Sequence, residues 1–287
     1  MKLEPDMADP TIPPDADDPA GMRKGLTSYG DPAFSLFLRK AFIKGAGYTD
    51  AALDRPVIGI TDTGSAYNPC HGNSPQLIEA VKRGVMLAGG LPMPFPTISI
   101  HESFAAPTSM VLRNLMSIDT EELVRGQPMD AVVLIGGCDK TVPAQLMGAA
   151  SAGIPAIQLV TGSMLTGSHR GETVGACTDC RRFWARFRAE DIDQREIDDV
   201  NNQLVASVGT CSVMGTASTM ACIAEALGMT VPGGEAPPGI VMPSASAMQA
   251  IVLAVPITEQ VPTLATSWLL TSAVSAASIS PARNLPQ

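Results

Sequence analysis

Residues 130–150 read DAVVLIGGCDKTVPAQLMGAA, and this stretch decides the fold. A short apolar run, 131–135, is bounded by Asp130 on one side and by Gly136 and Gly137 on the other, which predicts a strand. Apolar residues at three- and four-residue spacing then predict a helix over 143–152, with Pro143 favouring its first turn. Between the two stand Cys138, Asp139 and Lys140, in a loop at the carboxyl end of the strand. That is where open α/β sheets hold their ligands.

Outward from there the same alternation repeats from Pro56 to about Met229. Further strands are predicted over 57–60, 95–100 and 155–160, and further helices over 75–88, 107–116, 193–206 and 217–227. Short apolar runs separated by helical periods give an α/β fold, a parallel sheet flanked by helices. The chain has 287 residues, enough for one large domain or two small ones, and at 45% hydrophobic and 16% charged it is too apolar for disorder. No window reaches the apolar length of a membrane span. Met1 to Asp18 are acidic and proline-rich, unlike a secretory signal, so residues 1–21 read as a disordered arm and 22–237 as the α/β domain. The chain holds 19 Lys and Arg and 28 Asp and Glu, yet residues 238–287 contain only Glu259 and Arg283 as charged groups. This tail reads either as a truncated or frame-shifted end or as a partly buried terminal segment.

A net charge of −9 argues against binding a nucleic-acid backbone and repels anionic substrates at long range, so an acid substrate must be captured locally, by a metal. Six cysteines without an export signal point to reduced thiols in the cytoplasm, where each alone reads first as buried packing. Three of them share a pattern that packing does not require. Cys70 follows Thr61, Asp62, Thr63, Gly64 and Ser65; Cys138 follows Gly136 and Gly137; Cys211 follows Gly209 and Thr210. Glycines let the backbone approach a bulky inorganic group, and adjacent helix starts favour thiolate. Three cysteines on a two-iron cluster, which normally takes four protein ligands, leave one iron position open to polarise a leaving hydroxyl. Glu102 and Asp139 add hard oxygen ligands suited to Mg2+. Lys140 beside them reads either as a surface ion pair or as a carbamylated oxygen ligand.

The stretches ITDTGSAYNPCHGNSPQLIEAVKRGV (60–85), GGLPMPFPTISIHESF (89–104), DAVVLIGGCDKTVPAQLMGAA (130–150) and SVGTCSVMGTASTMACIAEALG (207–228) together resemble the dihydroxy-acid and sugar-acid dehydratase family, which includes phosphogluconate dehydratase. The likeness covers about residues 22–232. It implies that Cys70, Cys138 and Cys211 hold an iron–sulfur cluster, expected as 2Fe-2S rather than 4Fe-4S, and that Glu102, Asp139 and a carbamylated Lys140 hold Mg2+. MRKGLTSYGDPAFSLFLRKAFIKGAGY (22–48) and ACTDCRR (176–182) are similar to the sugar-acid branch, the arabinonate and xylonate dehydratases. The implied reaction is loss of water from a sugar acid to give a 2-keto-3-deoxy acid, in a homo-oligomer. The resemblance also implies a catalytic serine on a carboxyl-terminal β-barrel domain that nothing in 238–287 matches, so this chain by itself is expected to be catalytically silent. A branched-chain dihydroxy-acid substrate and a non-catalytic iron–sulfur protein are the alternatives, and a broken reading frame is a third.

Other candidates are weaker. Cys177 and Cys180 form a C-x-x-C that no second pair completes as a zinc site, and they read as non-ligands, with Asp179 and Arg181 within reach of substrate. His71 and His101 flank Cys70 and Glu102 and are expected to donate hydrogen bonds to cluster or substrate. Ser65 and Thr63 read as substrate-hydroxyl binders or loop caps. Cys222 reads as core, and His169 has no such company.

Overall fold

The structure, a computed structural model, describes residues 21–26, 29–176, 178–211 and 217–230. The expected arm, apart from Gly21, the tail from 238 and Cys177 lie outside the described residues. Four parallel strands, β1 (Val57–Asp62), β2 (Leu91–Pro96), β3 (Ala131–Gly136) and β4 (Ala156–Val160), lie in the order β2-β1-β3-β4. All six residues of β3 are buried, as a strand covered on both faces requires. On one face Ile58, Ile60, Val133, Ile135, Ile157 and Leu159 pack against Leu77, Ile78, Val81 and Val85 of α2 (Ser74–Leu87). On the other, Phe95, Val132 and Leu134 meet Val124 of α3 (Arg113–Gly126) and Ala149 of α4 (Thr141–Ala152). Each such Val, Leu, Ile or Phe side chain contributes roughly 1.5–3 kcal/mol by leaving water.

An amino-terminal helix, α1 (Pro32–Gly45), precedes β1, and Ile43 packs with Met22, Leu53 and Leu91. After β4 the chain forms a small hairpin, β5 (Gly167–His169) with β6 (Glu172–Val174), then α5 (Thr178–Arg188) and α6 (Gln194–Asn201). These enclose a separate core of Val174, Phe183, Ile192, Ile197 and Val200. Last comes α7 (Ala217–Ala226), after which Thr230 bridges to Gln158 on the open edge of β4.

Three expectations need correction. The second strand runs over Leu91–Pro96 rather than 95–100. It is an edge strand in which the N–H groups of Leu91 and Thr97 point at β1 (2.8 and 3.0 Å to Pro56 and Asp62 carbonyls), while Pro92, Pro94 and Pro96 alternate with that register and need no donor on the open side. The helix expected over 107–116 begins instead at Arg113, after a short turn at Ser109–Leu112. Its inward face is Met116, Ser117, Thr120 and Val124, too polar to give an apolar period. Finally, Cys222 is exposed: α7 buries Ala217, Ala221 and Ala224, and Cys222 stands one position off that face.

The strand order sets the position of the site. The chain moves from β1 to β2 on one side and returns to β3 on the other, so β1 and β3 form a topological switch point whose following loops diverge. Their ladder ends at Ile60↔Val133. Beyond it side chains replace backbone pairing: Ile135 N–H donates to Thr61 Oγ1 at 2.7 Å, and Thr63 Oγ1 donates to the Ile135 carbonyl at 2.9 Å. Gln145 and Gln158 close the network behind them, satisfying the Ile135 and Leu134 carbonyls at 2.9 Å each.

Candidate active site

Cys70 sits on the loop after β1 and Cys138 on the loop after β3, on either side of the switch point. With Met164 they form one buried cluster, against which Ala176 and Cys211 pack. The Cys138 thiol faces the Asp139 carboxylate at 3.4 Å and the Ile100 carbonyl at 3.8 Å. Its pKa is pushed far above the ordinary thiol range by its hydrogen bond to Cys70, then by burial and the Asp139 charge.

Backbone contacts bind the three loops together. Asn68 Oδ1 accepts from Cys70 N–H at 3.2 Å, opening the short turn that carries Cys70. Thr161, just past β4, donates its hydroxyl to the Cys70 carbonyl at 2.8 Å and lies 3.1 Å from Thr210 Oγ1. The segment before Cys211 follows α6 rather than a strand. It is pinned by Gly209 N–H to the Pro69 carbonyl (3.1 Å), and it forms an isolated bridge with Ser163. Gly137 makes the approach possible, because a Cβ there would stand 1.8 Å from Thr161 Oγ1 and 2.6 Å from the Cys70 carbonyl.

His71 is fully buried behind these cysteines. Its Nε2 accepts from Cys138 N–H at 3.1 Å, which places the ring proton on Nδ1, facing Ser99 Oγ at 2.8 Å and the Thr63 carbonyl at 3.0 Å. Burial, outweighing the Thr63 contact, pushes its pKa down to about 4 and keeps it neutral. His71 thus positions Cys138 through the backbone rather than donating to a ligand.

The oxygen groups meet beside the thiols. Lys140 Nζ lies 2.6 Å from Asp139 Oδ2 and 3.3 Å from Glu102 Oε2. Burial alone would lower the lysine pKa, but the hydrogen bonds and charges of Asp139 and Glu102 outweigh it and hold the ammonium. Ser109 and then Thr108 hold the Glu102 carboxyl down to about 2: Thr108 Oγ1 donates at 2.8 Å, Ser109 N–H at 2.9 Å, and Ser109 Oγ also donates. As it stands, therefore, the lysine is an ion-pair partner of both acids.

The remaining candidates have other partners. Ser65 Oγ accepts from Tyr67 N–H at 3.2 Å, a loop cap. His101 Nδ1 accepts from Ser103 N–H at 3.2 Å and starts the turn bearing Glu102. Asp179 is committed to Gly175 N–H and Arg182, both at 2.8 Å, and Arg181 is exposed on a groove of about 480 Å³ between α5 and α6. The sequence reading missed Asn68, Ser99, Thr161 and Thr210, which fix the thiol loops. Only the Asn-Pro and Gly-Thr turns around the cysteines hinted at them.

The arrangement bears on which groups it can hold. Among the described residues no three His, Cys, Asp or Glu side chains enclose a single metal ion as they stand. An iron–sulfur cluster spreads its ligands wider than one ion, and three converging thiols in an apolar pocket, with glycine at the closest approach, fit it. The Glu102 and Asp139 oxygens aim at one cation position, which fits magnesium once the Lys140 ammonium is displaced or uncharged.

Comparison with known proteins places the chain in a family. Residues 55–267 match the family described as dihydroxy-acid/6-phosphogluconate dehydratase N-terminal. The chain is 45% identical over 213 residues to an L-arabinonate dehydratase from Rhizobium leguminosarum, covering 74% of this chain and 37% of that protein. It is 41% identical to a D-xylonate dehydratase from Caulobacter vibrioides, over 71% of this chain and 34% of the relative. A dihydroxy-acid dehydratase from Moorella thermoacetica is 35% identical, over 70% and 37% respectively. The chain thus spans roughly a third of the length of these relatives.

Proposed function

The chain belongs to the dihydroxy-acid/6-phosphogluconate dehydratase family, and on that footing we propose that it forms the cofactor-holding part of a site that dehydrates an aldonate to a 2-keto-3-deoxy acid. The observation that carries this reading is the meeting of Cys70, Cys138 and Cys211 at one buried point beside Glu102, Asp139 and Lys140, at the switch point of the sheet. The higher identity to arabinonate and xylonate dehydratases than to the dihydroxy-acid enzyme favours a sugar acid over a branched-chain one.

A cluster on the three cysteines would supply a Lewis acid for the leaving C3 hydroxyl, and magnesium on Glu102 and Asp139 a hold on the carboxylate and C2 hydroxyl. The chain's own residues prepare both places. Met164 and Ala176 wall the thiols from water, and His71 fixes the Cys138 backbone. Thr108 and Ser109 keep Glu102 ionised over the working pH range. Lys140 must give up its ammonium, and conversion to a carbamate would turn a resident cation into a further oxygen ligand. In the overall reaction the C2 proton and C3 hydroxyl leave as water, and the resulting enol tautomerises to the keto acid. The base for the C2 proton is not assigned among the described residues: Lys140 is held as ammonium and His71 lies behind Cys138.

The test is to purify the chain without oxygen, load the cluster, and add arabinonate or xylonate. A change in the visible absorption, abolished by Glu102→Gln, is the expected result. An unchanged spectrum at saturating aldonate overturns the substrate assignment and leaves an iron–sulfur protein without this chemistry.

A further inference from the structure

We propose that a second pocket, behind the turn at Arg170 and Gly171, binds a small oxyanion, a carboxylate or a phosphate group. The pocket has a volume of about 330 Å³ and is lined by His169, Arg170, Glu172, Phe183, Arg186 and Glu196. It lies on the β5–β6 hairpin and its helices, away from the cysteine cluster, and does not rest on the dehydratase reading.

Three observations carry the assignment. First, His169 is only 8% exposed, yet among the described residues its Nε2 makes no hydrogen bond; Glu196 Oε1, at 3.5 Å, is within ion-pair distance but does not make one. A buried ring nitrogen without a partner is costly, and a ligand oxygen in the pocket would satisfy it. Second, the acids that line the pocket are already neutralised: Glu196 pairs with Arg170 at 3.0 Å and Glu172 with Arg182 at 2.9 Å. Arg186, by contrast, has no carboxylate within ion-pair distance among the described residues, and stands 5.4 Å over the Phe183 ring. Its planar fork suits a carboxylate or phosphate. Third, Arg170 occupies a left-handed backbone position, φ 49°, followed by Gly171 at φ 83°, in a turn where Asn or Gly is the usual first residue. Its guanidinium is held against Glu196 beside the pocket. His169 and Phe183, both lining the pocket, pack edge to face (5.6 Å).

Isothermal titration of the full chain with sodium phosphate, and separately with sodium glycolate, against sodium chloride at matched ionic strength tests the proposal and tells the two oxyanions apart. One site per chain is expected for at least one of them, weakened about tenfold by Arg186→Gln, the loss of one charge-assisted contact. Arg170→Gly, which suits the turn and preserves the fold, is expected to weaken binding too, because it leaves the Glu196 charge facing the anion. Absence of binding by either oxyanion in the parent, or affinity unchanged in both variants, overturns the proposal.

Discussion

The two halves of the candidate active site are built in opposite ways. Cys70 and Cys138 are buried among apolar neighbours, and Cys138 is held in its neutral form by Cys70 and by burial. Glu102 is half-exposed, ionised by Ser109 and Thr108, and already has a cation, the Lys140 ammonium. The thiol half is therefore shaped by backbone with Cys138 uncharged, so whatever binds there must bring enough positive charge to ionise that thiol. The oxygen half is charged in advance and must exchange one cation for another. The first is a matter of packing, the second of electrostatics.

Substitutions separate the two. The largest effect is expected from Gly137→Ala in the thiol half, where the new Cβ collides with Thr161 Oγ1 and the Cys70 carbonyl. Neither is free to move, since Thr161 also lies against Thr210 and its carbonyl accepts from Asn73. Thermal unfolding should show a loss of about 3 kcal/mol or more; a Tm within a degree or two of the parent would show that the loops are not packed as described. A pH series on the cluster-free chain gives a smaller effect. The folded-state pKa of His71 lies near 4, below its unfolded value near 6.5, so between these values the unfolded chain binds more protons. Stability contributed by neutral His71 is complete above pH 6.5 and is lost as pH falls toward 4, by on the order of 3 kcal/mol at most. Glu102 loses its own contribution only below about pH 4.5, so the window from 6.5 to 4.5 isolates the histidine. A Tm that His71→Asn leaves equally steep across that window would contradict the assignment. The smallest effect should come from Ser65→Ala, which removes a half-exposed loop cap and costs under about 1 kcal/mol in denaturant unfolding; aldonate-induced spectral change should survive it.

How much the sequence disclosed follows the same division between packing and local chemistry. Strands β1, β3 and β4 were legible because burial on both faces makes them largely apolar runs. The edge strand β2 was misplaced because half its residues are prolines facing the open side. Helix α3 was displaced because Ser117 and Thr120 occupy its inward face, and α5 went unread because it buries little beyond Phe183 among four arginines. The six candidate site residues could be picked out because loops rarely combine glycine, cysteine and acid without reason, and the structure brings them together. Their supports were hidden. Asn68 and Thr161 act through hydrogen bonds to backbone, up to 91 positions away as from Thr161 to Cys70, and Ser99 and Thr210 through the side chains of His71 and Thr161, which no local pattern encodes. His71 was correctly placed near the thiols, but its direction, toward the Cys138 backbone, could come only from three dimensions.

The central claim is that the three thiols hold an iron–sulfur cluster. Iron, acid-labile sulfide and the visible spectrum of the anaerobically purified chain, compared with Cys70→Ser, Cys138→Ser and Cys211→Ser, test it directly. Stoichiometric iron and sulfide in the parent, lost from each variant while the fold persists, is the predicted result. A parent that binds no iron, or variants that bind it as well as the parent, would contradict it.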